Sequence, residues 1–182
     1  PHRRMHRHRL QREGRPVTVR RAAARAIRVK RAFGPVVEGE ALLTRLPIVE
    51  TGNLDYRTRD MVALVARVRA GEHMIDVYVT HQYMSRGDDA LRLYQAQQLL
   101  EWIDSRDDCT ARIVCGDFNA TLDMPSAKLM ASRLRPTQTA PTAFTPLADA
   151  EGNVSHPGRA RMDRCIDFIW VSERITVGAS EV

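Results

Sequence analysis

The stretch Ile113-Val114-Cys115-Gly116-Asp117-Phe118-Asn119-Ala120 decides how this chain is read. A short apolar run stops at a glycine, and an acid and an amide follow two residues apart. Side chains at i and i+2 of an extended segment point to the same side. Asp117 and Asn119 are therefore expected to face one spot, with Phe118 turned the other way into a core. A carboxylate and an amide at the end of a buried strand suit the holding of a water, a metal or a phosphate. An Asx-type turn is the plainer reading of the same pair.

Outward from this motif the pattern is that of an α/β domain. Ala111 to Cys115 is the strand that leads into it. Upstream, Asp88 or Asp89 caps a helix to about Ser105, with Leu91, Leu99, Leu100 and Ile103 on its apolar face. Before that, Met61 to Arg69 and Met74 to Thr80 read as strands joined by the turn signal Gly71-Glu72, a hairpin. Val36 to Arg45 reads as a further strand, ended by Leu46-Pro47, and Asn53 to Asp60 reads as polar turn. Downstream, Pro125 opens a short helix to about Arg133, residues 135–160 read as a long loop, and Cys165 to Val171 is the last strand. Strand–strand–helix–strand order with a hairpin implies a layered sandwich of mixed and antiparallel sheets flanked by helices.

The chain has 182 residues, which suits one domain, and a net charge of +6 that is unevenly spread. Residues 1–31 hold eleven Arg and one Lys against Glu13 alone, a balance of +11, which leaves −5 for the remainder. Residues 1–34 are thus expected to be a basic, Arg-rich tail, and 35–182 the domain. The tail admits three readings: a nucleic-acid-binding arm, an Arg-rich targeting segment, or disordered or non-native sequence. No apolar run approaches membrane-spanning length, and no apolar signal-peptide core follows the arginines. Cys109, Cys115 and Cys165 lack paired spacing, which argues against a disulfide framework or a thiolate zinc site. His2, His6 and His8 lack acidic or thiol company, and His73 and His156 read as turn and loop residues.

Three strands deliver polar groups to their ends or faces. The second hairpin strand ends at Thr80-His81, the motif strand at Asp117-Phe118-Asn119, and the last strand contains Asp167 between Cys165 and Ile169. Burying a carboxylate among apolar neighbours is costly unless a cation or a donor meets it. For His81 the plain alternative is a satisfied strand-end histidine, and for Asp167 a tie to an arginine or a backbone amide.

GEALLTRLPI (Gly39 to Ile48), Thr80-His81, Arg92-x-x-Gln95, Gly116-Asp117-Phe118-Asn119-Ala120 and Ile166-Asp167-Phe168-Ile169 occur in one order. That ordered set resembles the endonuclease/exonuclease/phosphatase superfamily, over residues 35–175. The resemblance implies a deoxyribonuclease-like fold and hydrolysis of a phosphate ester by direct water attack, with Mg²⁺ or Mn²⁺. Asp117 would orient or deprotonate the water and hold the metal, and Asn119 would hold the water and a phosphoryl oxygen. His81 would donate to a phosphate oxygen, and Asp167 would orient a histidine near the family's C-terminus. Arg92 and Gln95, one turn apart on a helix, read as mainly structural. Among substrates, a lipid or small phosphoester is preferred over DNA, because the acidic domain offers no evident duplex-binding surface. The reading from a different class is an inactive remnant, or a nucleic-acid-binding protein acting through its basic tail.

The sequence also departs from the family. Residues 1–34 contain neither the expected early Asn nor the Gln-Glu pair whose Glu holds the metal, and Glu38 and Glu40 lie in another strand. The Ser-Asp-His that closes the family is missing before Glu181-Val182. The expectation is a chain cut at both ends.

Overall fold

The computed structural model describes residues 17–19, 22–33, 36–58, 61–84, 89–138 and 165–180. Nine strands and two helices lie within them. The strands are β1 (Val17–Val19), β2 (Ala22–Phe33), β3 (Val36–Thr44), β4 (Ile48–Asp55), β5 (Val62–Ala70), β6 (His73–His81), β7 (Ala111–Asp117), β8 (Arg135–Pro136) and β9 (Asp167–Val171). The helices are α1 (Ala90–Asp104) and α2 (Pro125–Ala131). Strands β1-β2-β3 form one antiparallel sheet, and β4-β5-β6-β7-β9-β8 form a six-stranded mixed sheet in that order. Only the β6–β7 pair in that sheet is parallel, and α1 is the crossover between them.

The strand β5 reads VALVARVRA and is buried along both faces for most of its length. Such double burial needs cover on two sides. Helix α1 covers one side, where Trp102 meets Tyr78 edge-on at 5.4 Å between ring centroids. The β1–β3 sheet lies against β5 and β6. Along β6, Asp76, Tyr78 and Thr80 are buried on the helix side, whereas Ile75, Val77, Val79 and His81 are half-buried on the other. Helix α1 supplies Ala96, Leu99, Leu100 and Ile103 to the core at helical spacing. Phe118, Phe168 and Trp170 complete the core beneath β7 and β9, with centroids 5.1 to 6.0 Å apart. Phe118 thus turns away from Asp117 into the core, as its position predicts.

Three local expectations need correction. Asn53 to Asp55, read as turn, complete β4, which pairs with β5 from Ile48 to Asp55. Backbone pairing at the sheet edge overrides the weak strand preference of Gly52, Asn53 and Asp55. Asp89 caps α1 by position, yet its carboxylate makes no bond to the α1 backbone. It accepts instead from Ser126 N at 2.9 Å and Ser126 Oγ at 2.8 Å, so it caps α2. Third, the stretch expected as an Arg-rich tail contains β1 and β2, and β2 pairs with β3 from Arg25 to Phe33. The loop expected over 135–160 opens with β8, and from residue 139 it lies outside the described residues.

Candidate active site

Strand register brings three of the four expected residues together. His81 ends β6 and pairs with Asp117, which ends β7; Asp117 in turn pairs with Asp167, which opens β9. Directly paired residues point to the same face. All three side chains therefore stand at one end of the six-stranded sheet, on the face turned from α1. His81 Nε2 lies 3.7 Å from Asp117 Oδ2, a loose pair at a solvent-open site. The first residue of β9, Asp167, is exposed, not enclosed by apolar neighbours as its sequence context suggested. No arginine ties its carboxylate among the described residues. Its backbone carbonyl accepts from Gln138 Nε2 at 3.0 Å.

Asn119 is placed differently from the extended-chain expectation. Its φ is +49, so the i and i+2 rule ends at Asp117. Asn tolerates this left-handed conformation better than most residues. Its backbone N–H donates to Asp117 Oδ1 at 2.8 Å, which is the Asx turn weighed above. Its side-chain Nδ2 donates to the Gln82 carbonyl at 2.8 Å, and Gln82 N donates to the Asp117 carbonyl at 2.8 Å. The amide of Asn119 thus laces the tip of β7 to the tip of β6. Asp117 keeps Oδ2 for other chemistry while Oδ1 is held by the turn.

The two carboxylates are electrostatically loaded. Burial pushes the Asp117 carboxyl above its ordinary value, against the opposing pull of the Asn119 N–H and of His81. Partial desolvation at the strand tip also raises Asp167, though the residue is exposed, and the nearby charge of Asp117 raises it further, with His81 opposing. A cation here would relieve both effects. Among the described residues, no group of three His, Cys, Asp or Glu side chains gathers to cage a metal. The Asp117 carboxylate is a donor of the kind a hard divalent cation takes, one or two beside several waters and phosphate oxygens.

Further residues hold the site, and of these only Tyr56 carries no signal in the sequence. A Cβ at Gly116 would overlap the Thr80 carbonyl oxygen, and the φ there is +142. Only glycine lets β7 approach β6 this closely before Asp117. Tyr56, fully buried, bonds through its hydroxyl to Thr80 Oγ1 at 2.8 Å, beside His81. Arg92 and Gln95 are buried and hold the segment after His81. Gln95 Oε1 accepts from Tyr83 N at 2.9 Å, and Arg92 Nε donates to Asp89 Oδ1 at 2.9 Å. Their structural reading agrees with these bonds. None of Cys109, Cys115 and Cys165 forms a disulfide.

A mixed sheet with its polar residues at the tips of β6, β7 and β9 defines an α/β sandwich of the deoxyribonuclease type. The chain belongs to the Endonuclease/Exonuclease/phosphatase family, whose sequence profile matches residues 10–182. No curated protein matches it. Among solved structures, the human Nocturnin catalytic domain with bound sulfate superposes with a TM-score of 0.64 at 21% identity, over 93% of this chain and 65% of that one. An endonuclease/exonuclease/phosphatase from Bacteroides vulgatus gives 0.62 at 16% identity, over 82% and 65%. Sphingomyelinase C from Streptomyces griseocarneus gives 0.57 at 15% identity, over 75% and 53%. The chain therefore spans about two thirds or less of the length of these relatives. No helix among the described residues is long and apolar enough to cross a membrane.

Proposed function

We propose that this chain carries the central part of a metal-dependent phosphoesterase, which hydrolyses a phosphate ester by direct attack of water. The observation that carries the reading is the convergence of His81, Asp117 and Asp167 through consecutive strand pairings. Phosphoryl transfer needs positioning and charge neutralisation more than a protein nucleophile. Asp117 Oδ2 orients the attacking water and takes its proton. Asn119 fixes the loop that aims Asp117, and its remaining amide oxygen is available to that water. The imidazole of His81 donates to a phosphoryl oxygen. Asp167 orients a proton-carrying group across from Asp117. Asp117 would hold Mg²⁺ or Mn²⁺, and the ion would supply charge neutralisation at the phosphoryl oxygens.

A lipid or small phosphoester is the preferred substrate over DNA. The acidic balance of residues outside 1–31 supports that choice. Sphingomyelinase C among the structural relatives is consistent with it. The arginines of residues 1–31 support a nucleic-acid-binding arm as the alternative. That alternative requires salt-dependent DNA binding that disappears when residues 1–31 are deleted. The test of the leading reading is hydrolysis of a phosphodiester and a phosphomonoester in Mg²⁺, with and without chelator. Absence of turnover on both in a chain extended to the full length of its relatives would refute it.

A further inference from the structure

A second charged cluster lies under α1, on the opposite face of the sheet from His81 and Asp117 and toward the other end of β6. Asp76 is at its centre and is fully buried. It pairs in register with Arg67 of β5 and with Arg112 of β7. Directly paired residues share a face, so all three side chains stand on the helix side. Arg67 Nε donates to Asp76 Oδ1 at 2.7 Å. Arg106, from the loop after α1, donates through Nε to Asp76 Oδ2 at 3.3 Å and through Nη1 to Glu50 Oε1 at 3.0 Å. Arg112 Nη2 donates to the Arg106 carbonyl at 2.7 Å. Tyr78, two residues along β6 from Asp76, points the same way and is fully buried.

The bonds within this cluster leave two things unbalanced. Arg67, Arg106 and Arg112 face only two carboxylates, Asp76 and Glu50, which leaves one positive charge over. The side chains of Arg67 and Arg106 are only 12% and 15% exposed, so water screens that charge weakly. In addition, Arg106 Nη2, Arg112 Nε and the Tyr78 hydroxyl are buried with no hydrogen-bond partner among the described residues. Leaving a buried donor unpaired is costly, more so on a charged group. The three belong to one patch. The Arg106 loop is tied to both Arg112 and Asp76. Burial pushes the Tyr78 hydroxyl up, and Arg106 and Arg112 lie near enough to pull against it.

We propose that this chain binds one small monovalent anion, of the size of chloride, between Arg106 Nη2, Arg112 Nε and the Tyr78 hydroxyl. A water carries no charge and leaves the excess uncompensated. An anion accepts from all three donors and cancels the charge, which is what a buried ionic cluster requires. A phosphate or carboxylate is gripped by a two-pronged guanidinium fork. The forks of Arg67 and Arg106 are already taken by Asp76 and Glu50, so a monatomic anion fits better. The site would tie β5, β6, β7 and the loop after α1 together, away from the candidate active site. It does not depend on the phosphoesterase reading.

The test is thermal unfolding of the whole chain in sodium chloride and in sodium gluconate at matched ionic strength, followed by circular dichroism. A ligand that binds only the folded state raises the midpoint as its concentration rises. At about ten times its dissociation constant, chloride is expected to raise the midpoint over gluconate by about 3–6 °C. Bromide should do the same. Tyr78→Phe, which removes one donor, and Arg112→Met, which removes the excess charge, should each at least halve that difference. The readout is the difference between salts within one variant, so a general loss of stability does not imitate it. In gluconate, Tyr78→Phe should melt no lower than the unaltered chain, because it removes an unpaired hydroxyl. Equal midpoints in the two salts for the unaltered chain overturn the proposal. A chloride effect that is not halved in either one of the variants also overturns it, because the anion then sits elsewhere.

Discussion

Replacing Gly116 by Ala probes how the site is built. Two effects add. The backbone there has φ +142, which L residues avoid, at a cost of about 1–3 kcal/mol. The new Cβ would also overlap the Thr80 carbonyl oxygen and stand 2.9 Å from its carbonyl carbon. These are backbone atoms in a paired strand, so β6 and β7 must separate, and overpacking of that kind costs about 1–3 kcal/mol. The sum, about 2–6 kcal/mol, is a large share of the roughly 5–15 kcal/mol that holds a domain together. Gly71 is the internal control. Its φ is +61, but no atom lies within 4 Å of a Cβ placed there. Gly71→Ala therefore carries the backbone cost alone, about 1–2 kcal/mol. Urea unfolding followed by circular dichroism gives both values, with unchanged m-values as the check on two-state behaviour. The reasoning is refuted if Gly116→Ala costs no more than Gly71→Ala. Because Asp117 follows Gly116 directly, a folded Gly116→Ala protein should also lose most of its activity.

Three further outcomes follow from the contacts. Burial would raise the Asp89 carboxyl, but donation from the Ser126 hydroxyl and N–H and from Arg92 outweighs it and holds the group below its ordinary value. A depressed carboxylate stabilises the fold above the ordinary carboxylate range, near pH 4, and loses that contribution as pH falls through its folded value. Asp89→Asn should thus cost about 1–3 kcal/mol at pH 6 and markedly less at pH 3, read from urea midpoints. Tyr56→Phe should cost about 1–2 kcal/mol, since it leaves the buried Thr80 hydroxyl without its partner, and should lower kcat through the neighbouring His81. Phe118→Ala should cost about 3–5 kcal/mol by opening the Phe118–Phe168–Trp170 cluster, with thermal unfolding as the measurement.

Much of this arrangement is legible in the sequence, for identifiable reasons. The β5–β6 hairpin, α1 and β7 announce themselves through period and turn chemistry, and Phe118 through its alternation with Asp117. The positions of His81 and Asp117 at strand ends are readable too, whereas Asp167 reads as lying inside the last strand and in fact opens β9; the convergence of the three is a property of strand register. Register is set by pairings between segments as distant as β6, β7 and β9, and composition does not encode it locally. Strand β4 was hidden because Thr51, Gly52 and Asn53 favour turns, and only pairing with β5 overrides them. The left-handed φ of Asn119 turned its amide toward Gln82, where an extended chain would have aimed it beside Asp117. Asp89 was correctly placed at the start of α1, yet its carboxylate serves α2, a partner 37 residues away. The role of Gly116 follows from the nearness of the Thr80 carbonyl, which no local pattern reveals.

The central claim is that Asp117 acts on the water that attacks a phosphate ester. Its most direct test is the Mg²⁺-dependent hydrolysis rate of Asp117→Ala against the unaltered protein, in a chain extended to the length of its structural relatives. Loss of a positioned acid–base group lowers the rate by about 10²-fold or more, and chelator should reduce the unaltered protein to the same level. An Asp117→Ala protein that is folded and retains the rate within about threefold would contradict the account.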